Sequence, residues 1–265
     1  MRAATDEARW GRRYHADRGA TTRLVCFPHA GGAASFYHPV SARLAPGTEV
    51  VAVQYPGRQD RFSEPAPTDL ATIADLAYDA LKGLLGQLPT GLFGHSMGAL
   101  VAFEVARRME ADGLAPVHLF VSGRGAPSIP RTGGRPRDDA GIVAELRDMA
   151  GTDAALLADD ELLEMILPAV RSDYAAVDGY RCAPGVTVRC PVTALGGDDD
   201  PRASLTDVRA WQGHTEGGFD MKVFPGGHFY LVEQAPAVIA ELRSRLASGN
   251  HGAAVNRTGG GTPPS

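Results

Sequence analysis

A serine between two glycines is the feature of this chain best suited to covalent chemistry. Residues 94–98 read Gly-His-Ser-Met-Gly, where a short apolar run gives way to a helix-forming stretch. In a Gly-x-Ser-x-Gly turn the serine is strained at the end of a strand, and the glycines let neighbouring backbone pass closely. A pattern this short also arises by chance, so its surroundings must support it. It predicts that Ser96 presents its hydroxyl as a nucleophile.

The C-terminal part of the chain supplies the two groups that such a serine needs. A serine hydroxyl is a weak nucleophile unless a base takes its proton and a carboxylate orients that base. We expect His228 to be the base, because it follows the last predicted strand in a Gly-Gly-His-Phe turn. An acidic loop, Gly-Gly-Asp-Asp-Asp-Pro, follows the strand before it. We expect Asp200 to be the carboxylate because the next residue is a stiffening proline, with Asp198 and Asp199 as alternatives.

Attack by a serine also creates an oxyanion that backbone amides must stabilise. Such donors are commonly worth about 3 to 4 kcal/mol each. We expect one donor to be the amide of Met97, next to the nucleophile. The second should come from residues 27–32, a loop with the small residues that close backbone approach requires. We assign it to Ala30, with Gly31 as the neighbour that could substitute.

The elements that would position these groups form an alternating pattern of strands and helices. Continuous apolar runs separated by helix-length stretches predict strands buried on both faces of a mostly parallel sheet. The runs lie at residues 22–27, 50–55, 91–93, 118–122, 192–195 and 221–224. Amphipathic helices are expected after Thr68 and directly after Ser96. The fold class is therefore α/β, with a central sheet flanked by helices.

The spacing of the strands divides the chain into three parts, the second of which contains a long insertion. Residues 1–20 are an N-terminal extension with a possible edge strand, and residues 21–246 form the main domain. About seventy residues separate two of its strands, too many for an ordinary connection. The helical insertion at about 124–185 is interpreted as a lid over the active site, or else as a plain helical decoration. Residues 247–265 are small, polar and glycine-rich, and are expected to be disordered.

Composition excludes several classes of function. The net charge of −5 over 265 residues argues against a nucleic-acid binder, which needs a basic face. No run approaches eighteen apolar residues, so a membrane span is not expected. Three cysteines without a Cys-x-x-Cys pair signal neither a disulfide framework nor a zinc site and fit the cytoplasm. No metal or other cofactor is expected.

Taken together, five segments resemble those of type II thioesterases, the stand-alone α/β-hydrolase partners of modular polyketide and non-ribosomal peptide synthases. The segments are residues 24–32, 54–58, 94–99, 197–201 and 224–229. The resemblance covers roughly residues 10–246. It implies an α/β-hydrolase fold with a helical lid, and a substrate bound as a thioester to the phosphopantetheine arm of an acyl carrier or peptidyl carrier protein. It further implies an editing role, in which acyl groups that stall the synthase are hydrolysed.

Two further sets of residues are expected to contact the substrate and its carrier. Carrier proteins of these synthases are generally acidic, so an acidic enzyme needs a local basic rim. Arg58, Arg131 and Arg135 are candidates for that rim, with solvated surface charge as the competing interpretation. Phe36 and Tyr37 are candidates for the acyl chamber, with core packing as the alternative.

Two other functions remain open at this point. One is a different serine hydrolase of the same fold, an esterase or an acyltransferase. The other is a non-catalytic protein that only binds the synthase. Comparing turnover of carrier-bound, thiol-bound and simple ester substrates would distinguish the first alternative from a thioesterase. A Ser96→Ala variant that still clears a blocked carrier would favour the second.

Overall fold

A mostly parallel sheet of seven strands runs through the part of the chain that the computed structural model describes, residues 2–129, 138–148 and 160–258. The strands are β1 (Gly11–Arg12), β2 (Thr22–Phe27), β3 (Thr48–Val53), β4 (Thr90–His95), β5 (His118–Ser122), β6 (Val192–Gly197) and β7 (Phe219–Phe224). Their spatial order is β1-β3-β2-β4-β5-β6-β7. Only β1 pairs antiparallel with its neighbour. The carboxyl ends of the other strands therefore meet along one edge of the sheet.

Helices precede, connect and follow the strands. They are α1 (Arg2–Trp10), α2 (His38–Leu44), α3 (Leu70–Leu85), α4 (Met97–Ala111), α5 (Asp139–Asp148), α6 (Asp160–Gly179), α7 (Leu205–Arg209), α8 (Tyr230–Glu233) and α9 (Ala235–Thr258). None of the helices in these described ranges combines the length and apolar character needed to cross a bilayer.

The two faces of the sheet pack into separate hydrophobic clusters. In β2, Val25 and Phe27 join the cluster formed with α3 and α4, whereas Leu24 and Cys26 join the cluster formed with α2 and α9. Alternate residues of a strand point to opposite faces, so a fully apolar strand serves both clusters. This confirms the predicted sheet, buried on both sides between helices.

The N-terminal segment differs from expectation in part. The edge strand is present as the two residues of β1, but it is preceded by a helix, α1, that was not predicted. The third helix begins after Asp69 rather than after Thr68. The carboxylate of Asp69 accepts a hydrogen bond from the amide of Thr72 at 2.8 Å, as an N-cap does.

The long segment between β5 and β6 contains α5 and α6. Their apolar faces pack together in a small cluster of their own, which includes Ile142, Leu146, Leu163 and Leu167. The described part of the predicted insertion therefore contains two helices. Its role as a lid remains a proposal.

The last helix extends past the boundary expected for it. Disorder was expected from residue 247, but α9 continues to Thr258, so that boundary was wrong. Continuing an existing helix adds a hydrogen bond for each residue that is fixed, which lets small and polar residues extend it. The rest of the expected tail, residues 259–265, lies outside the described residues.

Candidate active site

The predicted nucleophile lies at the turn between β4 and α4. Ser96 has φ 55° and ψ −115°, a strained conformation for a residue with a side chain, and its side chain is partly exposed. A Cβ atom added at Gly94 would lie 2.0 Å from the carbonyl oxygen of Gly98. A Cβ at Gly98 would in turn lie 2.0 Å from the carbonyl oxygen of Phe27. Both glycines are needed because backbone passes too closely for any side chain.

The predicted base and acid form a hydrogen-bonded pair. Nδ1 of His228 lies 2.9 Å from Oδ2 and 3.1 Å from Oδ1 of Asp200. Their side chains are only 3% and 0% exposed, so water does not compete for the bond. Asp200 follows β6 and His228 follows β7, at the carboxyl edge of the sheet. A carboxylate partner keeps the proton on Nδ1, which leaves Nε2 as the acceptor that a general base requires.

The two other aspartates of the acidic loop have different surroundings. Oδ1 of Asp198 accepts a hydrogen bond from the amide of Gly226 at 2.9 Å, which ties together the loops after β6 and β7. Asp199 is exposed. The structure thus pairs the imidazole with the aspartate that the sequence favoured.

The loops that carry the serine and the histidine meet at the same edge of the sheet. The ring of His95, the residue before the nucleophile, lies 4.9 Å from the ring of His228. A Cβ at Gly123, which follows β5, would lie 2.5 Å from His95 and 3.4 Å from His228. Among the described residues no hydrogen bond joins Ser96 to His228. Such a bond often forms only when substrate is bound.

His95 is held neutral next to the candidate base. Its Nδ1 lies 3.0 Å from the hydroxyl of Ser122, which lies 2.6 Å from the hydroxyl of Tyr230. Burial, with smaller contributions from His228 and His29, holds the pKa of His95 well below its usual range. A neutral neighbour adds no positive charge that would oppose proton uptake by His228. His95 therefore supports the site and packs beside the candidate base.

The two predicted oxyanion donors lie where the loop after β2 meets α4. Within the described ranges, neither the amide of Ala30 nor that of Met97 donates a hydrogen bond to a protein acceptor. The amide of Gly31 does so, to Oδ2 of Asp173 at 2.7 Å. Gly31 is therefore not free to replace Ala30 as the donor.

The two residues predicted to line the acyl chamber have different environments in the structure. Tyr37 is fully buried, and its hydroxyl donates to the carbonyl oxygen of Phe27 at 2.8 Å. Its assignment to the chamber was wrong, because it packs in the core and supports the loop after β2. Phe36 is only partly buried and makes edge contacts with the rings of His29 and Phe229, with centroids 4.8 and 6.2 Å apart. Phe36 remains a candidate.

Of the three arginines predicted to contact the carrier, the structure describes one. Arg58 is 6% exposed and forms an ion pair with the buried carboxylate of Asp173. Its assignment to a surface rim was wrong, because a guanidinium held inside the protein cannot contact a carrier. Arg131 and Arg135 lie outside the described residues. Asp173 is the residue that the sequence analysis missed, since nothing in its local sequence indicates a partner across the fold.

The described ranges hold no cluster of three or more histidine, cysteine, aspartate or glutamate side chains suited to a metal ion. Cys26, Cys182 and Cys190 are not joined by disulfides.

The fold and the site together define a protein of the α/β-hydrolase type. A mostly parallel sheet carries a serine on a strand-to-helix turn, followed in the chain by an acid and a histidine on later strand ends. The family model for the thioesterase domain matches residues 22–246, and the chain belongs to this family of serine thioester hydrolases.

Relatives from biosynthetic pathways are similar over most of the chain. The "Probable cadicidin biosynthesis thioesterase" of Streptomyces griseus is 51% identical over 240 residues, which are 90% of this chain and 66% of the relative. "Thioesterase PikA5" of Streptomyces venezuelae is 44% identical over 243 residues, which are 91% of this chain and 86% of the relative. This chain thus spans just under two thirds of the first relative and most of the second.

Solved structures agree with these relatives. The type II thioesterase BorB from the borrelidin biosynthetic cluster superposes with a TM-score of 0.83 at 48% identity, covering 89% of this chain and 97% of that one. YbtT, a type II thioesterase from the yersiniabactin pathway, gives a TM-score of 0.81 at 31% identity, covering 91% and 99%. The chain is similar to type II thioesterases over nearly its whole folded length.

Proposed function

We propose that this enzyme hydrolyses acyl thioesters on the phosphopantetheine arm of a carrier protein, with Ser96, His228 and Asp200 as its catalytic triad. The observation that carries the proposal is the buried pair of Asp200 and His228, which lies beside the strained serine turn. That arrangement suits a base that must be held in one tautomer and one orientation.

In the first half of the reaction the serine takes the acyl group. Nε2 of His228 accepts the hydroxyl proton as Ser96 attacks the thioester carbonyl. The amides of Ala30 and Met97 stabilise the oxyanion of the tetrahedral intermediate. The intermediate collapses with loss of the thiol, which takes up the proton. A thiolate is a good leaving group and a thioester carbonyl has weak resonance, so the chemistry suits this substrate.

In the second half water releases the acid. His228 removes a proton from water, which attacks the acyl-enzyme carbonyl, and the same two amides stabilise the second oxyanion. The intermediate collapses as His228 returns this proton to the departing oxygen of Ser96, which gives the free acid and the regenerated serine. The carboxylate of Asp200 stabilises the imidazolium that forms in both halves.

The nature of the substrate is inferred from the relatives. Those reported above carry names that place them in cadicidin, borrelidin and yersiniabactin biosynthesis. We infer that this enzyme likewise serves a modular synthase in the cytoplasm, where it removes acyl groups that stall a carrier. The three unpaired cysteines fit a reducing compartment.

The direct test is mass spectrometry of a carrier protein loaded with a panel of acyl groups, before and after incubation with the enzyme. We expect loss of the acyl mass from the carrier and appearance of the free acid, with no loss for Ser96→Ala. Acyl thiols and simple esters of the same acids are run in parallel. Faster turnover of the esters would favour a general esterase, and a Ser96→Ala variant that still clears the carrier would favour a non-catalytic role.

We also propose that Arg131 and Arg135 belong to the surface that an acidic carrier contacts. Electrostatic attraction between rim charges mainly affects encounter of the two proteins. Reversing both charges should raise KM for a carrier-bound thioester and leave KM for a small thioester unchanged. Equal effects on both substrates would refute docking at these residues.

A further inference from the structure

A single buried carboxylate joins the helical insertion to the loop that follows β2. Asp173 lies on α6 and is 1% exposed. Its Oδ2 accepts a hydrogen bond from the amide of Gly31 at 2.7 Å, and the guanidinium of Arg58 donates to the same oxygen. Arg58 also donates to the carbonyl oxygen of Pro56 at 3.0 Å. The loops after β2 and β3 and the helix α6 therefore meet at one atom.

Packing around the carboxylate leaves little space between the helix and the two loops. Gly31 has φ +74°, and a Cβ there would lie 2.9 Å from Cγ2 of Val170 on α6. A Cβ at Gly57 would lie 3.6 Å from Cβ of Ala169 on the same helix. Because both contacts come from the helical turn before Asp173, α6 rests directly on the two loops.

The amide held by the carboxylate lies next to the candidate oxyanion donor. The Ala30–Gly31 peptide is planar, so fixing the Gly31 N–H fixes the backbone that follows the Ala30 N–H. On its other side the loop is held by the hydroxyl of Tyr37, which donates to the carbonyl oxygen of Phe27. We propose that Asp173 is a positioning residue, which orients the loop so that the amide of Ala30 faces the oxyanion. The inference rests on the function proposed above.

Arg58 balances the charge of the carboxylate that binds the loop after β2. An unpaired negative charge in a buried site would oppose the negative charge that develops on the substrate. Arg58 neutralises Asp173, so the loop gains an acceptor for Gly31 without a net charge. The helical insertion is thus part of the catalytic framework, because it supplies one of the groups that shape the oxyanion site.

The first test compares Asp173→Ala with Glu164→Ala, a control at an exposed position of the same helix. With a small acyl thioester, we expect kcat of Asp173→Ala to fall about 10-fold to 100-fold, since loss of a correctly placed donor costs at least this much. KM should stay within about twofold, because ground-state binding is not the interaction removed. An alkylboronic acid, which forms an anionic tetrahedral adduct with the serine, should lose affinity by the same factor as kcat. The control should match the wild type.

A second set of variants keeps the test decisive if Asp173→Ala does not fold. Arg58→Met leaves the carboxylate unpaired, whereas Arg58→Met with Asp173→Asn keeps a neutral carbonyl acceptor for Gly31. We expect the double variant to be more active than Arg58→Met alone. The inference is overturned if Arg58→Met equals the wild type in kcat, or if Asp173→Ala loses thermal stability but keeps both kcat and boronate affinity. Inactivity of the wild type on every thioester would instead contradict the proposed function.

Discussion

At the scale of single residues, the acidic loop shows how place in the fold gives chemically identical side chains different tasks. Asp198 ties two loops together through the amide of Gly226, Asp199 is exposed, and Asp200 holds the imidazole of His228. Only the third is removed from water, so only its hydrogen bond fixes the histidine in one orientation. The sequence favoured Asp200 because of the following proline.

The contrast between these aspartates gives a matched prediction. Asp200→Asn should keep the shape of the loop but favour the wrong tautomer of His228, which lowers kcat about 10⁴-fold in comparable serine enzymes. Asp199→Asn changes the charge by the same amount and should leave kcat within about twofold, because it lies outside the triad. The measurement is kcat for a small acyl thioester. Equal losses in the two variants would contradict the assignment of the acid.

At the scale of elements, the start of α4 is pressed against the end of β2, so this contact bears on the two amides that we propose as oxyanion donors. Gly98→Ala would put a Cβ atom 2.0 Å from the carbonyl oxygen of Phe27, so the loop has to move. We expect kcat to fall about 10-fold or more and stability to fall by about 1 to 3 kcal/mol.

The control for this variant is a glycine in another helix. Gly83 lies within α3, and no described atom outside its own neighbourhood comes within 4 Å of a Cβ placed there. Gly83→Ala should therefore raise the free energy of unfolding by up to about 1 kcal/mol and leave kcat unchanged. Urea unfolding measures the stability of both variants, and steady-state kinetics measures their kcat. A Gly98→Ala enzyme with normal kcat would show that the contact does not shape the site.

The elements also show what could be predicted from the sequence. Apolar runs predicted β2 and β5 at the residues observed, because a strand buried on both faces is mostly apolar along its length. The residues of the candidate triad could be predicted because parallel strands end at one edge of the sheet. The pairing of Arg58 with Asp173 spans 115 positions in the chain, and no local pattern encodes it. Arg58 was therefore interpreted as a surface residue.

At the scale of the whole molecule, the insertion and the sheet form a continuous structure. Beyond the contact at Asp173, the hydroxyl of Tyr180, just after α6, donates to Oε1 of Glu104 on α4 at 2.8 Å. Oε2 of Glu104 forms an ion pair with Arg108 at 2.7 Å. Helix α6 is thus held to the loop after β2 through Asp173, and to α4 through Tyr180 just past its end. The first insert helix, α5, packs on α6.

Buried neutral histidines give the whole protein a predictable response to acid. Burial, with a smaller contribution from Arg245, lowers the pKa of His118 to about 4, and the pKa of His95 is also lowered. In the unfolded chain both return to about 6.5, so the unfolded chain binds protons first as the pH falls. Stability should be fully retained above about pH 7 and should fall between about pH 6.5 and 4.

The free energy of unfolding can be measured by urea unfolding at about pH 7.5 and about pH 5. His118→Gln should reduce the loss of stability between these pH values by roughly 1 to 2 kcal/mol, because one buried imidazole no longer takes up a proton on unfolding. His38→Gln, at an exposed position, should leave the loss unchanged. If both variants show the loss seen in the wild type, buried histidine is not its cause.

In the proposed mechanism, Ser96 carries the acyl group between the carrier and water. The most direct measurement is peptide mass spectrometry of the enzyme, quenched with acid while it turns over an acyl-carrier thioester. We predict the acyl mass on the peptide that contains Ser96, and neither adduct nor turnover in Ser96→Ala. Turnover of the thioester by Ser96→Ala at the wild-type rate, or an acyl adduct on a different residue, would contradict the account.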